Sequence, residues 1–264
     1  MQNFSNITKI AIDAAISSGK ILRDGFRKKC KISNKEGFHN LVTEYDLKSE
    51  KNIFKIIKQN YPNHNILSEE AGLEKISKNN IKWIIDPLDG TVNFAHNIPI
   101  FAVSIAVMED NEITSGVIYA PILDELFVAE KKSGAFLNNK KIKVSKTSSL
   151  ENAILATGFP YNLNKNPDQC IENFTKMLKH GIPIRRLGAA ALDLAYVAMG
   201  NFDGYWETGL GPWDVAAGKL IVEEAFGKVS NWSGKNFEIS DKNKIVVSNG
   251  KIHNELLNII GDKK

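Results

Sequence analysis

The stretch from Trp83 to Phe94, Trp-Ile-Ile-Asp-Pro-Leu-Asp-Gly-Thr-Val-Asn-Phe, constrains this chain more than any other. An apolar strand (Trp83, Ile84, Ile85) runs into Asp86, a Pro-Leu-Asp-Gly turn follows, and Thr91, Asn93 and Phe94 come after it. Two carboxylates three residues apart across a tight turn, at the end of a buried strand, are costly unless a positive charge neutralises them. A divalent cation does this most simply, and oxygen-only ligands suit Mg²⁺, which keeps waters and a substrate phosphate in its shell. Pro-x-Asp-Gly is also ordinary turn chemistry, and Asp-Pro is an ordinary way to stop a strand. Taken alone the stretch favours a plain turn, so a metal site requires further acids from elsewhere in the chain.

Read from its start, the chain offers three places to find them. The apolar spacing of Ile7, Ile10, Ala11, Ala14, Ile21, Leu22 and Phe26 predicts an amphipathic helix over 5–27, capped by Ser5 or Asn6. A lysine-rich loop, Lys28 to Asn40, follows, with Lys35-Glu36-Gly37 at its tip; by itself it reads as a solvated loop. Leu41-Val42-Thr43 then leads into a second helix reaching about Gln59, and Thr43 with Asp46 has the form of a capping pair. A short strand, Ile66 to Ser68, delivers Glu69 and Glu70 directly before the apolar strand that carries Asp86, so both acids are placed to open into one cleft.

Beyond the opening stretch, Phe101–Met108, Glu112–Ala120, Asp124–Glu130 and Ala135–Val144 read as strands of a large meandering antiparallel sheet, with Asn138-Asn139 as a hairpin turn. The texture changes around Ser145 to Asn152, which divides the chain into an N-terminal part (1–148) and a C-terminal part (149–264). The second part alternates strand and helix: strands at Ala153–Thr157, around Ile184, at Asp203–Glu207 and at Ile245–Ser248, with helices near 167–180, at Ala189–Met199, at Pro212–Phe226 and from 251 onward. Helices are therefore expected on both faces of a sheet, an α+β or α/β architecture. In Gly211-Pro212-Trp213-Asp214, Pro212 suits a first helical turn and places Asp214 near the helix N-terminus, where a carboxylate is stabilising with or without a metal. Gly218 makes the next turn slim enough for close packing, and Glu207, ending the preceding strand, lies on the same side as Asp214.

Composition excludes several alternatives. A hydrophobic content of 43% and a net charge of +4 over 264 residues are ordinary for a globular enzyme. Only Arg23, Arg27, Arg185 and Arg186 are arginines, the lysines are scattered, and no basic stripe interleaved with aromatics points to nucleic acid. Cys30 and Cys170 lie far apart, so neither a disulfide framework nor a thiolate metal site is implied, and a reducing cytoplasm fits best. The five histidines show no close spacing, against zinc. No apolar run approaches membrane-spanning length.

Together the motifs resemble those of the inositol monophosphatase family of Mg²⁺-dependent, lithium-sensitive phosphatases, notably its bacterial members. Glu69-Glu70 looks like the family's paired glutamates, Asp86-Pro87-Leu88-Asp89-Gly90-Thr91 like its signature loop, and Trp213-Asp214 with Ala216-Ala217 like its C-terminal signature; Leu41-Val42-Thr43 with Asp46 also corresponds. The resemblance runs from about residue 5 to 250 and implies a layered α-β-α-β-α sandwich of the sugar-phosphatase type, two or three Mg²⁺ ions and a homodimer. It assigns Glu69, Asp86 and the Leu88 carbonyl to one ion and Asp86, Asp89 and Asp214 to a second. Thr91, hydrogen-bonded to Asp46, and Glu69 would orient the attacking water. The amides of Gly90 and Thr91 would hold phosphate oxygens, and Asp89 counts among the substrate-binding residues as well as the metal ligands. Gly188, Ala190 and Glu207 would contact a sugar or inositol, and Lys35 corresponds to a loop lysine close to the metals. The implied substrate is myo-inositol 1-phosphate or a related polyol or sugar phosphate. Fructose 1,6-bisphosphate, NADP(H), 3′-phosphoadenosine and histidinol phosphate phosphatases share such a cage, and a regulatory, partner-binding homologue is the alternative outside enzymes. The chain departs from the family pattern at Phe226, where a glycine is usual.

Overall fold

The computed structural model describes residues 3–35, 40–75, 80–240 and 243–260. Glu36 and Gly37, at the expected loop tip, lie outside the described residues. In chain order the elements are α1 (Asn6–Gly25), β1 (Ile32–Asn34), β2 (Leu41–Thr43), α2 (Glu44–Asn60), β3 (Asn65–Ser68), β4 (Gly72–Glu74), β5 (Ile81–Asp89), α3 (Thr91–Ala95), β6 (Ala102–Glu109), β7 (Glu112–Ala120), β8 (Glu125–Glu130), β9 (Gly134–Leu137) and β10 (Lys140–Lys141). They continue with β11 (Leu155–Thr157), α4 (Cys170–Lys179), β12 (Ile184–Arg185), α5 (Ala190–Ala198), β13 (Gly204–Leu210), α6 (Pro212–Glu224), β14 (Lys228–Ser230), β15 (Asn243–Ser248) and α7 (His253–Ile260).

An eight-stranded sheet runs β10-β9-β8-β7-β6-β5-β3-β4 and a five-stranded one β12-β11-β13-β15-β14. The first is antiparallel throughout except that β3 lies parallel to β5, because β4 reverses the chain outside β3 at the sheet edge before β5 pairs on its other side. The meander expected from sequence alternation is therefore present, and Asn138 and Asn139 both adopt the positive φ that a two-residue hairpin turn requires. The strand expected over Ala135–Val144 is instead the short pair β9 and β10, since that turn falls in its middle. Part of the expected loop at Lys28–Asn40 pairs as strand, with Ile32–Asn34 against Leu41–Thr43.

Three apolar clusters stack the layers. Ala11, Ala14, Leu22, Ile53 and Ile57 of α1 and α2 pack on Trp83, Ile85, Val103 and Val117 of the large sheet. On its other face Ile84, Ala106 and Ile118 meet Leu194, Val215, Ala217 and Leu220 of α5 and α6, which also cover Tyr205, Ile245 and Val247 of the small sheet. Met177, Trp206, Val246, Leu256 and Ile260 form the outer cluster, where α4 and α7 close the small sheet. The order α1/α2, sheet, α5/α6, sheet, α4/α7 is the expected five-layer sandwich. The alternation of β5 explains it: Trp83 and Ile85 face one helical layer and Ile84 the other, so a doubly covered sheet follows from an unbroken apolar strand. Gly218 is slim for the reason expected, since a β-carbon there would stand 2.5 Å from Leu194 Cδ1.

The exit of α6 explains the departure at Phe226. Its amide donates to Glu223 O (3.0 Å) and that of Gly227 to Val222 O (2.8 Å), the two bonds of a Schellman cap. That motif needs a left-handed residue, and Phe226 supplies it at φ 68° with its side chain 66% exposed. A phenylalanine gives up roughly 1 kcal/mol there relative to glycine. Phe226→Gly is expected to raise stability by roughly 0.5–1 kcal/mol, read as a higher urea midpoint with unchanged m-value; a lower midpoint contradicts the cap assignment.

His253, at the start of α7, is enclosed between Ser230 Oγ (2.8 Å to Nε2) and Ser248 Oγ (2.9 Å to Nδ1). Burial, with Lys228 nearby, lowers its pKa from 6.5 to about 4. Because the folded pKa lies below the unfolded one, the neutral ring stabilises the fold fully above pH 6.5 and progressively less as pH falls toward 4. One proton taken up on unfolding corresponds to a slope of about 1.4 kcal/mol per pH unit in that window. Subtracting a His253→Gln stability profile from the wild-type one isolates this slope; a flat difference between pH 4 and 6.5 contradicts the assignment.

Candidate active site

The site is organised by a defect in β5. The pairing of β5 with β6 steps from Asp86 opposite Ser104 to Asp89 opposite Ala102, so one extra residue is inserted on the β5 side. In a regular strand residues 86 and 89 would point to opposite faces, whereas the bulge lets both carboxylates serve one side. The Leu88 amide donates to Asp86 Oδ1 (2.9 Å), and Ser49 Oγ on α2 donates to Pro87 O (2.7 Å), fixing the turn. Gly90 follows at φ 88°, where a β-carbon would lie 2.9 Å from Ile100 O, so only glycine fits between the bulge and α3.

Asp214 enters from the N-terminus of α6, where Pro212 opens the helix and Asp214 Oδ2 accepts from the Gly211 amide at 2.7 Å. Oxygens of Asp86, Asp89 and Asp214 all lie within 4.8 Å of one another. Asp89 Oδ2 also accepts from the Ala191 amide (2.8 Å) in the first turn of α5, so a second helix N-terminus steadies the cluster. Burial first, then Glu69, Asp89 and Asp214, push Asp86 well above the usual carboxylate range. Burial and neighbouring carboxylates push Asp214 likewise, and Asp89 rises to about 7 although the α5 amides pull it down. Three clustered hard oxygen donors, two of them buried, that repel one another to this degree fit a divalent cation, which would reverse those shifts and displace the protons they hold.

Around the trio the expected residues gather. Thr43 caps α2, and Asp46 Oδ2 accepts from both its amide (2.8 Å) and its hydroxyl (2.6 Å). The Thr91 hydroxyl stands 2.9 Å from Asp46 Oδ1 and 2.9 Å from Leu88 O. Burial lifts Asp46 to about 6 against the three hydrogen bonds it accepts. Capping and site geometry are thus the same contacts in Asp46 and in Asp214. Glu69 lies outside the close trio; its Oε1 accepts from Lys35 Nζ (2.8 Å), which also reaches Glu70 (2.5 Å). Burial alone would lower the Lys35 pKa, but the two glutamates outweigh it and hold the ammonium charged well above its ordinary range.

The trio forms the floor of a cavity of about 530 Å³, whose walls include Gly188, Ala190 and Glu207. Glu207 is enclosed in β13 and accepts from the Tyr205 hydroxyl; burial raises it to about 7. Gly158 makes room for it, since a β-carbon there would fall 2.0 Å from Glu207 Oε2. Lys35 is not among the wall residues, whereas Tyr161, Arg186 and Asp193 are.

Several contributors escape a reading of the sequence. Glu50 accepts from Ser68 Oγ and from the Ala71 amide (3.0 Å) and so fixes the turn bearing Glu69 and Glu70, yet it is one acid in a charged helix. Asn93 Nδ2 ties Ile100 O (2.7 Å) to Leu187 O (2.8 Å), beside Gly188. Asp193 did leave a signal: it is the only charged residue in the apolar run from Ala189 to Ala198.

A model of the inositol monophosphatase family matches residues 3–263. The inositol-1-monophosphatase of Synechocystis is 43% identical over 94% of this chain and 86% of its own length. The Nus factor SuhB of Pseudomonas aeruginosa is 41% identical over 95% of this chain and 94% of its own. The crystal structure of the extragenic suppressor protein suhB from Bartonella henselae superposes with a TM-score of 0.92 at 38% identity, covering 98% of this chain and 100% of that one. Fold, site and likeness over nearly the whole length agree: the chain belongs to the inositol monophosphatase family.

Proposed function

We propose that the protein is a phosphomonoesterase that hydrolyses myo-inositol 1-phosphate, or a closely related polyol phosphate, to the free alcohol and phosphate with Mg²⁺ as its metal. The observation that carries this reading is the trio Asp86, Asp89 and Asp214, mutually within 4.8 Å in the lining of the cavity. Glu69, Asp86 and the Leu88 carbonyl would hold one ion, and Asp86, Asp89 and Asp214 another. When bound, such ions supply positive charge for the phosphoryl oxygens and a water acidified toward neutrality.

The chain's own residues do the rest. Thr91, by directing its hydroxyl proton to Asp46, turns an oxygen lone pair toward the cavity to accept a hydrogen bond from the attacking water. Glu69 accepts the water's other hydrogen bond, which requires that Lys35 yield its hold on that carboxylate as substrate enters. As the water oxygen bonds phosphorus and the ester P–O bond breaks, one of its hydrogens ends on the released alcohol and the other stays on the phosphate. The Gly90 and Thr91 amides receive phosphate oxygens, so the ester is held with its phosphorus facing the water; positioning of this kind is most of what phosphoryl transfer asks of a protein. Glu207, with Gly188 and Ala190, receives the alcohol. No serine, cysteine or histidine nucleophile is needed.

The 43% identical relative named for inositol 1-phosphate favours that ester over the bisphosphates and nucleotides handled elsewhere in the family. A regulatory reading draws on the Nus factor name of the 41% identical relative; retention of the whole acidic set favours catalysis, alone or alongside such a role. Phosphate release from a small panel of esters with Mg²⁺, repeated with Li⁺, tests the proposal. Turnover of inositol 1-phosphate that falls with Li⁺ is expected. Release from a bisphosphate but not from inositol 1-phosphate overturns the substrate assignment.

A further inference from the structure

We propose that Asp193 is a second hydroxyl acceptor for the alcohol half of the substrate, working beside Glu207 so that the cavity selects phosphate esters of alcohols with neighbouring hydroxyls. The inference rests on the phosphatase reading above and adds to it a residue and a selection rule.

Asp193 Oδ1 is the one enclosed side-chain oxygen or nitrogen, among the described residues, that has no hydrogen-bond partner. Native proteins rarely leave such an atom unserved, and where they do a ligand or a water is the usual reason. The residue is 1% exposed and forms part of the cavity wall together with Glu207 and Arg186.

The local roles open to an aspartate in this place are already filled. It closes the first turn of α5, its amide donates to Ala189 O (3.0 Å) within the helix, and the amide of Ala191 in the same turn is taken by Asp89. Its carboxyl group therefore caps nothing. Its neighbours on α5, including Leu192, Leu194 and Val197, are enclosed apolar side chains of the central cluster and offer its carboxyl group no polar partner. Burial and the charges of Glu207 and Asp89 push the carboxyl well above its usual range, with Arg186 opposing, so the fold tolerates the group at a cost.

A count of acceptors says what would satisfy it. Glu207 Oε2 is occupied by the Tyr205 hydroxyl, which leaves Oε1 as the oxygen that Glu207 turns to the substrate. A simple alcohol satisfies that oxygen and leaves Asp193 orphaned. A cyclic polyol offers a further hydroxyl from an adjacent carbon, and the two carboxyl groups together read a pair of hydroxyls where one would read a single point. Discrimination that leaves a buried acceptor unpaired with the wrong ligand is stronger than discrimination by shape.

Asp193→Leu separates this role from a structural one. The ratio of kcat/KM for myo-inositol 1-phosphate to that for p-nitrophenyl phosphate is expected to fall at least tenfold, chiefly through KM for the polyol ester, while the melting temperature rises because an unpartnered buried carboxyl is gone. An unchanged ratio, whatever the melting temperature does, overturns the proposal and leaves Asp193 as the host of an ordered water. Should the leucine variant fail to fold, Asp193→Ala is read by the same ratio. If the wild type hydrolyses a different hydroxylated ester instead, the substrate assignment fails, and the ratio is taken with that ester. If it hydrolyses none, the phosphatase reading fails, and equilibrium binding of myo-inositol decides: weaker binding to the variant supports the acceptor, equal binding overturns it.

Discussion

Asp89→Asn is expected to lower kcat for the phosphate ester by about 10³-fold or more, some 4 kcal/mol of transition-state stabilisation, while leaving a folded protein. The side chain keeps its shape, and its amide oxygen can still accept from the Ala191 amide that now meets Asp89 Oδ2 at 2.8 Å. What disappears is one of three mutually repelling carboxylates within 4.8 Å, and with it the charge that draws a divalent cation. Without metal the variant is expected to be at least as stable as the wild type, because Asp89 is held near pH 7 by burial and its charged form burdens the fold. The sign follows from a folded pKa raised above the unfolded one: the wild-type trio costs stability increasingly as pH rises through about 7, and Mg²⁺ removes that cost. Melting curves with and without Mg²⁺ above pH 7 should show a rise for the wild type that is much reduced in the variant. Near-normal turnover in Asp89→Asn contradicts the role given to the trio.

Thr91→Val carries the second largest effect, a loss of about 10²–10⁴-fold in kcat with little change in KM. Valine matches threonine in shape, so the turn and α3 should persist, and Asp46 keeps both hydrogen bonds from Thr43. Only the hydroxyl that joins Asp46 to the cavity is removed. Because Asp46 also loses a donor that opposes its rise above about 6, the pH at which residual activity appears should move upward in the variant. A drop of less than tenfold with an unmoved pH profile means that the Thr91–Asp46 pair only caps and braces α2.

Those contacts also explain why some parts of the fold and site were legible in the sequence and others were not. Long apolar strands such as β6 and β7 and the Asn138-Asn139 turn declare themselves, because burial on both faces and a two-residue hairpin leave local signatures. Thr43 with Asp46, and Gly211 with Asp214, are equally local, since a cap is a relation between residues three apart. Strands of two or three residues, β1, β4, β12 and β14 among them, have no period to detect and exist only because a neighbour pairs with them. The bulge in β5 was hidden for a related reason. Pro87-Leu88 reads as a turn, and only the partner strand reveals that the ladder resumes at Asp89. Glu50 and Asn93 take their meaning from distant segments, so their types alone could not mark them out, whereas Asp193 shows in the sequence as the lone charge in an apolar helix.

Phosphate release by the wild-type protein from myo-inositol 1-phosphate, with free Mg²⁺ and then with the metal removed by EDTA and restored, tests the central claim most directly. Release is expected to depend on Mg²⁺, to vanish on chelation and to return on re-addition. Release at the same rate in EDTA would contradict the account that places a divalent cation among Asp86, Asp89 and Asp214.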